Sequence, residues 1–204
     1  MPKHEFTKEE DSRISKLLSK KLAPEYISYR TGFGRGMVAY VEGWTIISLA
    51  NQIFGFNGWS SSITRMGIDY CDLIDGKFNV GITCTTRITL KDGSSREDVG
   101  FGSSENQRSK SQAYEKARKE ASTDALKRAL RLFGNALGNC CYDKEFINTL
   151  NKIEKKERDI ITAKDLYRRE NNIKQEHKHL KKSKSRDVDE EIDVSCDIDG
   201  FSLS

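Results

Sequence analysis

Lys127, Arg128 and Arg131 lie in the run LKRALRLFGNALGN and make its densest basic cluster. At about 3.6 residues per helical turn these cations share one side of a helix, while Leu126, Leu130 and Phe133 occupy the other. Cations so placed can follow a row of phosphates. They also stand at a helix C-terminal end, where the macrodipole favours positive charge, so a solvated helix face explains them as well. A second group, Arg30, Arg35 and Tyr40, surrounds Gly32, Gly34 and Gly36. Arginine contacts phosphate bidentately and stacks on bases, and tyrosine stacks or bonds a phosphate, which is chemistry suited to a single strand. The glycines alone imply no more than a turn.

Other chemistries find less. Gly32-x-Gly34-x-Gly36 matches neither G-x-G-x-x-G nor a P-loop, so nucleotide hydrolysis has no visible site. Asp69, Asp72 and Asp75 suggest hard-cation ligands of a metal-dependent nuclease, but their place beside Asp75-Gly76 is better explained by turn chemistry. His4 lies in a terminal arm, and His177 and His179 lie in a charged tail. No nucleophile is paired with a base. The expectation is a binding protein with no catalytic residues, metal or cofactor.

The elements that must position these residues can be read along the chain. Thr7-Lys-Glu-Glu10 is a capping box opening a short amphipathic helix through Leu22, with Ile14, Leu17 and Leu18 as its apolar stripe and Pro24 closing it. YISYRT and GMVAYVE flank the glycines as a hairpin. A second helix carries Trp44, Ile47 and Ile53 and ends at Gly55 as a left-handed cap. Phe78, Val80, Ile82, Cys84, Ile88 and Leu90 alternate with polar residues, the period of a sheet with one packed face. Asp75-Gly76 and Asp92-Gly93 supply hairpin turns, giving a meander from Trp59 to Phe101. A long helix is expected from about Ser104, with Gln107 as capping partner, to Phe133 and Gly134. Its Ala113, Ala117, Ala121 and Ala125 recur every fourth residue, a stripe that allows close packing. A last short helix starts at Asp143 and carries Phe146, Ile147 and Leu150.

The 204 residues allow one domain and an extension, with the boundary near residue 150. The apolar share of 36% is low and the charged share of 32% is high, consistent with a part that packs no core. Residues 151 to 186 carry thirteen Lys or Arg against six acids, and residues 187 to 204 hold seven acids and no base, which reads as a disordered tail, basic then acidic. A net charge of +4 is too small by itself to specify a polyanionic partner. Five cysteines without C-x-x-C spacing indicate neither a disulfide framework nor zinc, and so a reducing compartment. The longest apolar stretch, Trp44 to Ala50, is too short to span a membrane, and no secretory segment is visible.

The strings YVEGWTIISLANQIFGFNGW, GKFNVGITCTTRITLKDGSSREDVGFG and EKARKEASTDALKRALRLFGNALGN resemble the Rad fifty-two family of eukaryotic single-strand annealing proteins over roughly residues 24 to 150. The resemblance implies an α+β fold with a β-β-β-α core, an antiparallel meander packed on a long helix, assembling into a homo-oligomeric ring. It implies an inner groove that holds single-stranded DNA by its backbone and promotes annealing without ATP in double-strand break repair. On matching positions the inner groove takes Arg30, Tyr40, Lys127, Arg128 and Arg131, and an outer DNA site takes Lys77, Arg108, Lys144, Lys110 and Lys119. Asn148 stands where relatives often carry a base, which implies a weaker outer site. An RNA or RNA–DNA hybrid annealing module is the alternative. The family's long C-terminal region binds replication protein A and a strand-exchange recombinase. Here only DVDEEIDVSCDIDGFSLS offers a compressed partner motif, and a solubilising tail explains it equally. KKSKSR, residues 181 to 186, suits nuclear import.

Overall fold

The computed structural model describes residues 5–32, 36–150, 152–153 and 166–167. The chain divides into two units, Met1–Arg158 and Asp159–Ser204, and all the elements below belong to the first. Arg35, the three histidines, KKSKSR and the acidic segment lie outside the described residues.

Helix α1 spans Lys8–Ser19 and opens with both halves of the expected capping box. The Glu10 N–H donates to Thr7 Oγ1 at 3.2 Å, and the Thr7 N–H donates to Glu10 Oε2 at 2.9 Å. The helix stops at Ser19, before Pro24, because Lys20 already turns extended (ψ 137°). Pro24 instead begins a short 3-10 turn, Pro24–Tyr26. Two ion pairs fasten α1 at its ends, Lys91 Nζ to Glu10 Oε2 at 2.7 Å and Lys21 Nζ to Asp143 Oδ2 at 2.6 Å. The lysine hydrogen bonds hold the carboxyls of Glu10 and Asp143 below their ordinary values. A carboxylate whose folded pKa is depressed adds stability that is present above its unfolded pKa and is lost as pH falls through the folded one. Thermal melts should therefore show a falling midpoint between about pH 6 and about pH 3, with a smaller fall in Glu10→Gln.

Strands β1 (Ser28–Thr31) and β2 (Met37–Tyr40) form the expected antiparallel hairpin, with Ser28 opposite Tyr40 and Arg30 opposite Val38. Helix α2 spans Gly43–Phe54 and buries Ile46, Leu49, Ala50, Ile53 and Phe54. Trp44 and Ile47 fall on its outer side. Gly55 ends it at φ 87° and ψ 155°, a positive φ but not the left-handed helical cap expected.

Strands β3 (Trp59–Ile74), β4 (Lys77–Leu90) and β5 (Ser95–Gln107) form one antiparallel sheet in that order. Asp75 (φ 50°) and Gly76 (φ 74°) turn β3 into β4, as Asp-Gly predicts. Helix α3 is Lys110–Arg131, not a helix from Ser104. Ser104 instead pairs with Val80 in the sheet and is buried. The ladder beside β4 outcompetes local capping there, and Ser109 precedes the helix. Helix α4, Lys144–Leu150, is announced by Asp143, whose Oδ1 accepts the Phe146 N–H at 3.0 Å.

The meander on a long helix is thus an α+β arrangement with two cores. Ala113, Ala117, Ala121 and Ala125 are fully buried against Val80, Ile82 and Cys84. At the other end Ala129, Leu130 and Leu137 meet α1, α2 and α4 through Ile14, Ile46, Phe54 and Leu150. The small-residue stripe permits so close an approach that β5 answers it with Gly100 and Gly102. The open edge of β5 is covered by α3 as well: the Phe101 N–H donates to Asp124 Oδ2 and the Ser103 N–H to Glu120 Oε2.

Candidate nucleic-acid interface

The hairpin and α3 face each other across a cavity, and every residue expected on the inner groove borders it or its deeper extension. The register of β1 and β2 places Arg30 and Tyr40 diagonally on one face, the spacing at which long side chains meet. The Arg30 guanidinium sits 5.7 Å from the Tyr40 ring centroid. Lys127 Nζ approaches the same ring from α3 at 5.4 Å. One aromatic ring therefore gathers two cations that would otherwise repel. The Tyr40 hydroxyl donates to Glu42 Oε1 at 2.8 Å, and this bond raises its pKa above the usual phenol value, so it stays protonated.

The wider cavity, about 1010 Å³, is lined by Arg30, Val38, Phe101, Lys116, Lys119, Thr123, Lys127 and Arg128, among others. A deeper one of about 160 Å³ reaches Tyr40, Arg131 and Cys141. Arg131 is only 19% exposed and lies 4.2 Å over the Tyr142 ring. The Asp98 carboxylate stands between Arg128 and Arg131, at 3.5 and 3.4 Å. Cys141 lines the deeper cavity next to the buried Cys140, and their contact lowers the pKa of the Cys140 thiol and raises that of the Cys141 thiol from their ordinary values.

The residues expected on an outer site do not converge within one chain. Lys77 and Arg108 flank the Phe78–Gln107 pair at one end of the sheet, and Lys110 opens α3 beside them. Lys144 opens α4, next to the Asp143–Lys21 pair and the opposite core. Lys119 lines the groove cavity with Arg30 and Lys127. Asn148 is exposed on α4. Sequence reasoning passed over Lys116, Thr123, Asp98 and Tyr142. Lys116, Lys119, Thr123 and Lys127 recur every three or four residues, so the helical ridge they form was there to be read.

The aspartates are engaged differently. Asp69 accepts the Thr83 hydroxyl at 2.6 Å, Asp72 lies opposite Asn79, and Asp75 makes the turn. Among the described residues no three His, Cys, Asp or Glu side chains gather as metal ligands, and no helix is long and apolar enough to cross a membrane.

A groove with cations on two facing elements and few acids free to oppose them is suited to a polyanion. Comparison with known proteins places the chain in a family. The chain is 56% identical over 141 residues to DNA repair and recombination protein RAD52 of Candida glabrata, covering 69% of this chain and 28% of that protein. It is 57% identical over 150 residues to DNA repair and recombination protein rti1 of Schizosaccharomyces pombe, covering 73% and 40%. To RAD52 of Saccharomyces cerevisiae it is 55% identical over 141 residues, covering 69% and 30%. The match therefore spans less than half the length of these relatives. Residues 10–160 match the family described as Rad52/22 family double-strand break repair protein, and the chain belongs to that family.

Proposed function

We propose that this chain binds single-stranded DNA by its backbone and promotes annealing of complementary strands without ATP, in double-strand break repair. The observation that carries this reading is the shared cavity of Arg30, Lys116, Lys119, Lys127 and Arg128, five cations from two elements facing one another. Annealing needs no covalent step. Its physical task is to offset phosphate repulsion while base edges stay free, and backbone contacts position a strand without reading its sequence.

A single chain offers a short track, so the reading includes a homo-oligomeric ring in which many copies align their grooves. Strand β3 supports it: an edge strand of sixteen residues that exposes Ile63, Ile68, Leu73 and Ile74 is a natural template for another chain. In such a ring Lys77, Arg108, Lys110 and Lys144, separate in one chain, can be supplied to an outer DNA site by neighbours. Work in the nucleus, and contact with replication protein A or a strand-exchange recombinase, fall to residues beyond 150 under this proposal.

The test is a titration of labelled oligo(dT) at several salt concentrations, with an RNA of equal length as competitor and sedimentation on the same preparation. Binding should weaken steeply between about 50 and about 200 mM salt, as counterion release requires. DNA should be held at least as tightly as RNA, in a particle many subunits in mass. Arg30→Ala should weaken binding about tenfold without changing that mass. A preference for RNA would favour the hybrid-annealing alternative, and salt-independent or absent binding would reject the groove.

A further inference from the structure

Glu120 and Asp124 line the groove cavity, but both are engaged by hydrogen bonds within the protein, and so is nearby Glu42. Glu120 and Asp124 accept backbone N–H groups of β5, and Glu42 accepts the Tyr40 hydroxyl. Asp98 differs. One of its oxygens accepts the Val99 N–H at 2.7 Å, and the carboxylate is otherwise directed at the cations. Its Oδ1 lies 3.5 Å from Arg128 Nε and its Oδ2 3.4 Å from Arg131 Nη2.

These contacts are long. A formed guanidinium–carboxylate fork closes to roughly 2.7–2.9 Å, and only the Arg131 contact has hydrogen-bond geometry. The Nε atoms of both arginines are buried and have no hydrogen-bond partner. A buried N–H without an acceptor costs free energy. Asp98 therefore offsets the charge of the arginine pair while leaving donors unsatisfied, as a resident anion that only partly substitutes for phosphate. Arg131 is not held by Asp98 alone, because the Tyr142 ring covers it.

We propose that Asp98 is a built-in counter-ion that sets how tightly this stretch of the groove holds a strand, lowering affinity so that bound DNA can shift and test pairing. The proposal rests on the single-strand DNA reading above. It assigns Asp98 an effect opposite in sign to that of a residue that merely supports the fold. Loss of a supporting residue weakens binding, whereas loss of a counter-ion strengthens it.

The experiment uses the full chain with Asp98→Asn, which keeps the volume and an oxygen for the Val99 N–H, and Asp98→Glu, which keeps the charge. Oligo(dT) affinity is read by anisotropy across a salt series, annealing by a fluorescent-pair assay, and integrity by melting and sedimentation. The Asn variant should bind roughly tenfold tighter at low salt, with a slope of log affinity on log salt steeper by about 0.7, one further phosphate, and should anneal more slowly. The Glu variant should keep the wild-type slope. Weaker or unchanged binding by Asp98→Asn, or an altered slope in Asp98→Glu, overturns the counter-ion role. If wild type fails to bind oligo(dT), or Lys127→Ala binds as well as wild type, the underlying DNA reading has failed instead.

Discussion

Gly102→Val is expected to destabilise the domain severely, while Gly67→Val on β3, at the opposite edge of the sheet, is tolerated. A Cβ at Gly102 would lie 2.2 Å from the Ala117 carbonyl oxygen and 2.3 Å from the Ala121 nitrogen, and a Cβ at Gly67 meets nothing within 4 Å. The atoms struck at Gly102 belong to the helix backbone, so no rotamer change relieves the clash. The helix would have to lift from the sheet, opening the contact of Ala113, Ala117 and Ala121 with Val80 and Ile82. It would also release the Phe101 and Ser103 N–H groups from Asp124 and Glu120. Overpacking of a rigid site combined with loss of edge hydrogen bonds belongs among the most damaging substitutions, on the order of 4 kcal/mol or more, against a total stability of about 5–15. Urea unfolding followed by circular dichroism checks it. A cooperative transition for Gly102→Val at the wild-type midpoint would show that α3 and β5 are not in this contact.

That glycine marks where the sequence stopped being legible. The capping box of α1, the alternation along β4 and the alanine stripe of α3 are local signals, and each element formed where its signal lay. The stripe announced a close partner, but nothing local said the partner was Gly100 and Gly102. The run SSENQ carries no apolar alternation, so a capped helix start was the natural local reading. It is strand because Ser104 pairs with Val80 and Asn106, at φ 57°, bends the chain out with its N–H on Asn79 Oδ1. The groove was partly legible for the same reason. Lys127, Arg128 and Arg131 announced themselves as a cluster, and the hairpin brought Arg30 and Tyr40 to them. Asp98, distant in sequence and acidic, became visible only when β5 was laid beside the end of α3.

Lys127→Glu is expected to abolish useful strand binding while leaving the fold intact. Lys127 differs from its neighbours in what it does for the protein. Arg131 is largely buried between Asp98 and Tyr142, so reversing its charge would disturb the core end of α3. The described contacts of Lys127 are made toward the groove, with its ammonium over Tyr40. Under the proposed function, reversal removes one phosphate partner and adds a repulsion beside the strand, and in the protein it leaves the Arg30–Tyr40 pair without its second cation. Loss of a phosphate contact together with a new like-charge clash costs roughly 2.7 kcal/mol, about a hundredfold in affinity at low salt. The effect should shrink as salt rises, because screening weakens the repulsion and the contact alike. The melting midpoint should stay within about 2 °C of wild type, since an exchange on a solvent-facing ridge typically shifts stability by only about 0.5 kcal/mol. Annealing should fall in step with binding, because a strand not held in the groove cannot be presented to its complement. If affinity dropped less than threefold while the protein remained folded, the strand would have to run elsewhere than between the hairpin and α3.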